Sequence, residues 1–198
     1  MNNKQIEELY DKRCVEKTHS WDAALWQSED SQYGRFVLAG NYISKDASVF
    51  DVGCGQGDFG KYLNSRKITS NYEGIDISQE MVNRAKINYP QANYIKDDYE
   101  NHTGKIYDHV VAIGSFNLKN DKNQYDYIES NLDRAFNQCK KNVILTLTSN
   151  PAQLIIDPEE PVFMYSPEVM VQIVSSISPY YVVNTVSLPL EMLIVIYK

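Results

Sequence analysis

Residues 48–57, Ser-Val-Phe-Asp-Val-Gly-Cys-Gly-Gln-Gly, constrain this chain more than any other stretch. A short apolar run ends in an acid and gives way to three glycines at alternate positions. Phe59, Tyr62 and Leu63 then follow at helical spacing. Glycines let a backbone turn sharply and approach a ligand with no Cβ in the way. The helix that opens behind them presents N–H groups with no partner of their own. The stretch therefore reads as strand, tight turn, helix, the first unit of an α/β sheet.

The rest of the chain repeats that unit. Residues 71–76, 92–96, 107–114 and 142–148 read as further strands, and helical patterns lie between them. Ser78 caps a helix that turns Met81, Val82 and Ala85 inward, with Pro90 past its end. A later helix carries Ile128, Leu132, Ala135, Phe136 and Cys139. Ser166-Pro167-Glu168 begins another. Two last apolar runs, 180–186 and 191–197, are separated by a few residues including Pro189. No crossover helix fits there, so they are expected to pair antiparallel. Residues 1–45 read as a helical extension capping the acceptor side, with Ile6, Leu9 and Tyr10 on one face and Tyr33, Phe36, Val37 and Ile43 on another. Residues 46–198 read as the main domain. The expected fold class is α/β: a mostly parallel sheet, helices on both faces, closed by an antiparallel C-terminal hairpin.

Charge narrows the partners. The formal net charge is -7 over 198 residues, which argues against tight sequence-independent binding of nucleic acid. No apolar run reaches the ~20 residues that cross a bilayer, and the polar start does not read as a signal peptide. Cys14, Cys54 and Cys139 are odd in number and lack metal spacing. They are expected to be reduced thiols of a cytoplasmic protein, with no metal.

Acids at the strand tips carry the ligand argument. Gly55-Gln56-Gly57-Asp58-Phe59-Gly60 also fits the dinucleotide pattern G-x-G-x-x-G. A dinucleotide, however, lays a diphosphate on the helix start. Asp51 and Asp58 would repel it, by roughly 4 kcal/mol per pair of like charges ~4 Å apart near a surface. A cationic nucleoside suits the same place. Asp58 also favours the helix start. Asp76 ends the second strand, 19 residues after Gly57, where an acid takes ribose hydroxyls. Asp98 follows the third strand and is expected to accept from an adenine amine, with Tyr99 flanking the base; Asp97 reads as a solvated loop acid. Three acids at three successive strand tips fall where open α/β sheets bind ligands.

These residues resemble the class I S-adenosylmethionine (SAM) methyltransferase family over about residues 45–150 and the terminal hairpin. Residues 51–57 resemble its first motif, residues 73–78 with Met81 its second, and residues 93–98 its third. Residues 107–112 resemble its fourth strand. The resemblance implies a seven-stranded Rossmann-like sheet and SAM as cofactor. It lays Gly53 and Gly55 along the methionine, with Cys54 and Gly57 in the same turn. It sets Ile77 and Tyr99 beside adenine, and runs Gly114 and Ser115 beside the methionine part. Arg35, on the helix before the first strand, is a candidate for the SAM carboxylate, and Tyr33 a weaker one.

After the fourth strand the chain reads Ser115-Phe116-Asn117-Leu118, without the proline-rich tetrapeptide of DNA and protein amino-methyltransferases or the Pro-Cys pair of cytosine-C5 enzymes. The expected activity is therefore transfer of a methyl group to an oxygen or nitrogen of a small molecule by in-line displacement. Alignment of the acceptor does most of that work, and a general base is needed only if the acceptor must lose a proton early. Asn117 is a weak candidate for orienting the acceptor. His109 and Asp108 read as structural, His19 and His102 as surface, Cys54 as packing, and Trp21 and Trp26 as loop aromatics. Asp157, Glu159 and Glu160 suggest an acidic loop near the site. Other readings left open are a methyltransferase of protein or nucleic acid, a SAM-binding module without turnover, and an NAD-type oxidoreductase.

Overall fold

The computed structural model describes residues 1–149, 161–188 and 190–198. Asp157, Glu159, Glu160 and Pro189 lie outside the described residues. Seven strands, β1 (Val49–Val52), β2 (Tyr72–Asp76), β3 (Asn93–Lys96), β4 (Tyr107–Ile113), β5 (Cys139–Thr148), β6 (Tyr181–Asn184) and β7 (Glu191–Tyr197), form one sheet in the order β3-β2-β1-β4-β5-β7-β6. β1 to β5 pair in parallel, and β7 is antiparallel to both β5 and β6. The chain winds outward from β1 to β3, then crosses back to β4. Strand order therefore reverses between β1 and β4, the crevice where open α/β sheets bind ligands.

The central strands are apolar on both faces because helices cover both. Alternate residues feed two cores. Phe50, Val110, Leu145 and Ile194 meet Ile128 and Leu132 of α6 (Gln124–Asn137) and Met170 and Val174 of α7 (Pro167–Ile177). On the other face Val49, Val111, Ile144 and Leu193 meet Phe36 of α3 (Glu29–Gly40), Phe59 and Leu63 of α4 (Asp58–Ser65), and Val82 and Ala85 of α5 (Gln79–Asn88). Side chains cap these helices as the sequence implies: Ser78 accepts from Met81 N–H at α5, and Ser166 from Val169 N–H at α7.

Residues 1–45 hold α1 (Asn3–Glu16), the short α2 (Ser20–Ala23) and α3. α1 lies across α5 and the tips of β2 and β3. Asp11 Oδ1 accepts from Ser78 Oγ at 2.6 Å and Glu80 N–H at 3.1 Å, and Lys96 pairs with Glu7 at 2.9 Å.

Two local expectations are corrected. The helix expected to run through Cys139 ends at Asn137, and Cys139 opens β5 opposite Tyr107, beyond a register irregularity. Cys139 lies one helical repeat past Ala135, so periodicity alone cannot separate the two states. On α3, Tyr33 and Val37 are exposed, while Gln32, Arg35, Phe36 and Ala39 are buried. The helix turns its polar Gln32 and Arg35 toward the site.

Candidate ligand-binding cleft

A cavity of about 730 Å³ opens at the C-terminal edge of the parallel strands. Asp51, Asp76 and Asp98 all line it. Volumes of this order hold small molecules and cofactors.

The glycine turn is built by hydrogen bonds to β2. Gly53 and Cys54 N–H both donate to the Ile75 carbonyl, at 2.8 and 3.0 Å. Gly55 N–H donates to Asp76 Oδ2 and Ser78 N–H to Asp76 Oδ1, each at 2.8 Å. Asp76 thus anchors the turn and the start of α5 together. The carboxylate's acceptor sites outnumber these backbone donors, which leaves capacity for a ligand donor. Gly53 has φ +70°, and an added Cβ would strike the Ser115 side chain; only glycine fits there. Ser115 Oγ donates to the Val52 carbonyl and ties the tip of β4 to that of β1. Gly57 departs from the expectation. It has φ +78° and backs onto the Tyr94 hydroxyl, outside the cavity lining.

Burial sets the charge states. It pushes the Asp51 carboxyl up to about 7, against the pull of the Tyr72 hydroxyl that donates to it. It pushes Asp76 up to about 6, opposed by the backbone N–H donors. The Cys54 thiol is buried and held up by the same cause, with Asp76 and Asp51 adding to it. That suits a packing residue rather than a thiolate nucleophile.

At the β3 tip, Asp98 accepts from Glu100 N–H at 3.0 Å and from Asn3 Nδ2, on α1, at 2.6 Å. Ile77 and Met81 line the same end. Tyr99 borders the cavity, but its ring packs toward Phe50 and its hydroxyl donates to Gln138 Oε1 at 2.9 Å. The ring expected beside a base therefore belongs to the core. Ile6 and Tyr10 of α1 line this end instead. Burial and the nearby Asp76 carboxylate both push the Tyr10 hydroxyl upward. The sequence identifies this face of α1 but holds no sign of where it lands.

At the other end, Gly114 sits against the Trp26 ring and lines the cavity with Asn117. Asn117 Oδ1 accepts from Thr148 N–H at 3.0 Å, bracing the tip of β5. Arg35, the candidate for the SAM carboxylate, is paired with an acid from the far end of the chain. Its Nε donates to Glu191 Oε2 at 2.6 Å and its Nη2 to Glu191 Oε1. Its Nη1 donates to Ser31 Oγ at 2.6 Å and to the Ser31 carbonyl. The guanidinium also lies 4.5 Å over the Trp26 ring. Sequence reasoning missed Glu191. The available signal was an acid opening an otherwise apolar strand.

His109 is structural, as read: its Nε2 accepts from Ser44 N–H at 3.0 Å and its Nδ1 meets Asn142 Oδ1 at 2.6 Å. Asp108 accepts from Ser48 N–H and Oγ–H, each at 2.9 Å. No group of metal-binding side chains occurs among the described residues, and none of their helices is long and apolar enough to cross a membrane.

The donor set decides between nucleoside ligands. Among the described lining residues Arg35 is the only cation, and Glu191 neutralises it. A diphosphate finds no counter-charge there, whereas a sulfonium with an ammonium meets several carboxylates. The residues present fit SAM.

Residues 49–139 match the family model for a methyltransferase domain. Protein 235L of Invertebrate iridescent virus 6, which carries a provisional methyltransferase name, is 34% identical over 96 residues, 46% of this chain and 36% of that protein. The match spans less than half the length of the curated relatives. Among solved structures, magnesium protoporphyrin IX methyltransferase from Synechocystis PCC 6803 with bound SAH is 11% identical over all of both chains, with TM-score 0.75. The plantazolicin methyltransferase BpumL in complex with SAH and a monoazolic desmethylPZN analogue is 18% identical over 98% of each chain, with TM-score 0.68. At these identities the structural likeness is one of fold.

Proposed function

We propose, from the premise that residues 49–139 form a methyltransferase domain of the class I Rossmann-like type, that the protein transfers a methyl group from SAM to an oxygen or nitrogen of a small-molecule acceptor. The observation that carries this is the convergence of Asp51, Asp76 and Asp98 on one cavity above the glycine turn. Asp76 would hold the ribose hydroxyls, and Asp98 with Ile77 and Met81 the adenine. Gly53, Cys54, Gly55, Gly114 and Ser115 would run along the methionine, with Asp51 facing its ammonium.

When bound, SAM supplies an activated methyl group whose bond to sulfur breaks as the acceptor attacks. The chain's own part is alignment, which lowers such barriers by roughly 7–11 kcal/mol when the geometry is right. The strand tips are cross-tied by Ser115 to Val52, Asn117 to Thr148 and Gly55 to Asp76. That ties the walls of the cleft to one another without a ligand. A concave cavity of about 730 Å³ supports a small acceptor over a macromolecular one, and the net charge of -7 weighs against nucleic acid. The helices of residues 1–45 supply one wall of the cavity, which supports reading them as a cap.

Isothermal calorimetry with SAM tests the reading. Saturable binding in the micromolar range is expected, followed by release of S-adenosylhomocysteine when an acceptor panel is added. No heat of binding, or a thermal shift larger with NADH than with SAM, ends it.

A further inference from the structure

Binding of the methyl donor leaves the Arg35–Glu191 pair without a task. β7 runs against its neighbour β5, so its first residue lies at the edge where the parallel strands finish. Glu191 is in register with Thr148, the last residue of β5. Glu191 and Leu193 point to one face, and Leu193 packs in the same cluster as Phe36. Arg35 precedes Phe36 on α3, and so meets the Glu191 carboxylate. Glu191 is 4% and Arg35 8% exposed. Two charges so buried are retained at a desolvation cost that their attraction offsets only if the other hydrogen-bonding positions are filled. For Arg35 they are filled, by Ser31, Glu191 and the Trp26 ring. Glu191 spends one lone pair of each oxygen on Arg35, which leaves each oxygen able to accept again, and the residue borders the cavity.

We infer that Glu191 binds the methyl acceptor, that Arg35 is its positioning residue, and that the acceptor is a small amine with an apolar body, taken up as the ammonium. This rests on the methyl-transfer reading above. Among the described lining residues, Asp51, Asp58, Asp76, Asp97, Asp98 and Glu191 stand against Arg35 alone. The donor's own carboxylate enters beside its ammonium, but a separate anionic acceptor finds no free counter-charge among these residues, because Arg35 is already paired with Glu191, while a second cation is tolerated beside a sulfonium. The neighbouring wall is apolar, from Leu25, Trp26, Ile113, Phe116, Val162 and Met164. An ammonium donates where a carboxylate only accepts. To attack, the nitrogen must free its lone pair. One N–H proton passes to Glu191 and then to water, so one proton is released per methyl transferred. Burial raises the proton affinity of Glu191 and the guanidinium restrains the rise.

The test is calorimetry on the full chain saturated with S-adenosylhomocysteine. The probes are phenethylamine with a series of aryl- and alkylamines, N-acetylphenethylamine and phenylacetate. Saturable binding is expected for amines and absent for the amide and the acid. Glu191→Gln is expected to weaken amine binding by about tenfold or more, and Glu191→Asp to restore part of it. Because Glu191→Gln strands a buried guanidinium, the uncharged double variant Arg35→Met with Glu191→Met is measured beside it. It is expected to bind S-adenosylhomocysteine and no amine. The inference is overturned if no amine binds, if phenylacetate or the amide binds as tightly, or if amine affinity survives in the double variant. If the unaltered protein fails to bind S-adenosylhomocysteine, the methyl-transfer reading itself fails instead.

Discussion

Asp76 serves the fold and the ligand with one carboxylate. It accepts from Gly55 and Ser78 N–H and still faces the cavity. Asp76→Asn keeps one accepting oxygen but loses the charge. Hydrogen bonds to a charged group contribute about 1.5–3 kcal/mol, so SAM affinity is expected to fall by about tenfold or more, read by calorimetry. Asp51 and Asp76, at about 7 and about 6, also set a pH dependence. Below those values the folded protein holds protons there and loses the charge that attracts a cation. SAM affinity is therefore expected to fall as pH drops from about 8 to about 5.5. Unfolded aspartates titrate near ~3.9, so between there and about 7 the folded state binds more protons than the unfolded one. The contribution of these two groups to ligand-free stability is thus present at low pH and lost as pH rises through that window. Denaturant midpoints measured across the window with and without SAM check both signs. The acids at the parallel strand tips were legible because an acid ending an apolar run is conspicuous. Glu191 was not, because at the start of a run it marks the same edge only once the strand is known to be antiparallel.

Helix α1 shows where element-level reading stops. Its apolar face, Ile6 and Tyr10 included, follows from spacing alone. Its docking depends on polar contacts made 67 and 69 residues away, from Ser78 Oγ and Glu80 N–H to Asp11. Asp11→Ala removes both. It is expected to cost about 1–2 kcal/mol and to speed amide hydrogen exchange across residues 3–16 more than in the sheet, since exchange reports local opening. Equal acceleration in β4 and β5 would contradict it. α5 and α7 were easier to read, because Ser78 and Ser166 are local caps followed at once by periodic apolar residues.

The sheet is the cooperative core of the whole molecule. Leu145 of β5 is fully buried, between β4 and β7. Leu145→Ala is expected to destabilise the protein by about 2–5 kcal/mol through lost burial and the cavity left behind. Each kcal/mol lowers the melting temperature by ~2–4 °C in a domain of this size, a shift that calorimetry or circular dichroism resolves. SAM affinity at a temperature where the variant is folded is expected to change little, because Leu145 lies below the cleft. Strand order places that cleft. The reversal between β1 and β4 opens a crevice that no single strand encodes.

From sequence alone came the α/β alternation, the glycine turn, the helix caps, the terminal antiparallel hairpin and the acids at the ends of β1, β2 and β3. All of these are local, written in periodicity, in residues without a Cβ and in polar residues beside apolar runs. Only the tertiary structure decided that Arg35 is held by Glu191, that the Tyr99 ring serves the core, that Gly57 backs onto Tyr94, and that Ile6 and Tyr10 line the cleft. Each of those depends on which side of a helix or strand meets a partner far away in the chain. That choice is made by packing the whole sheet, not by the residues on either side of the one in question.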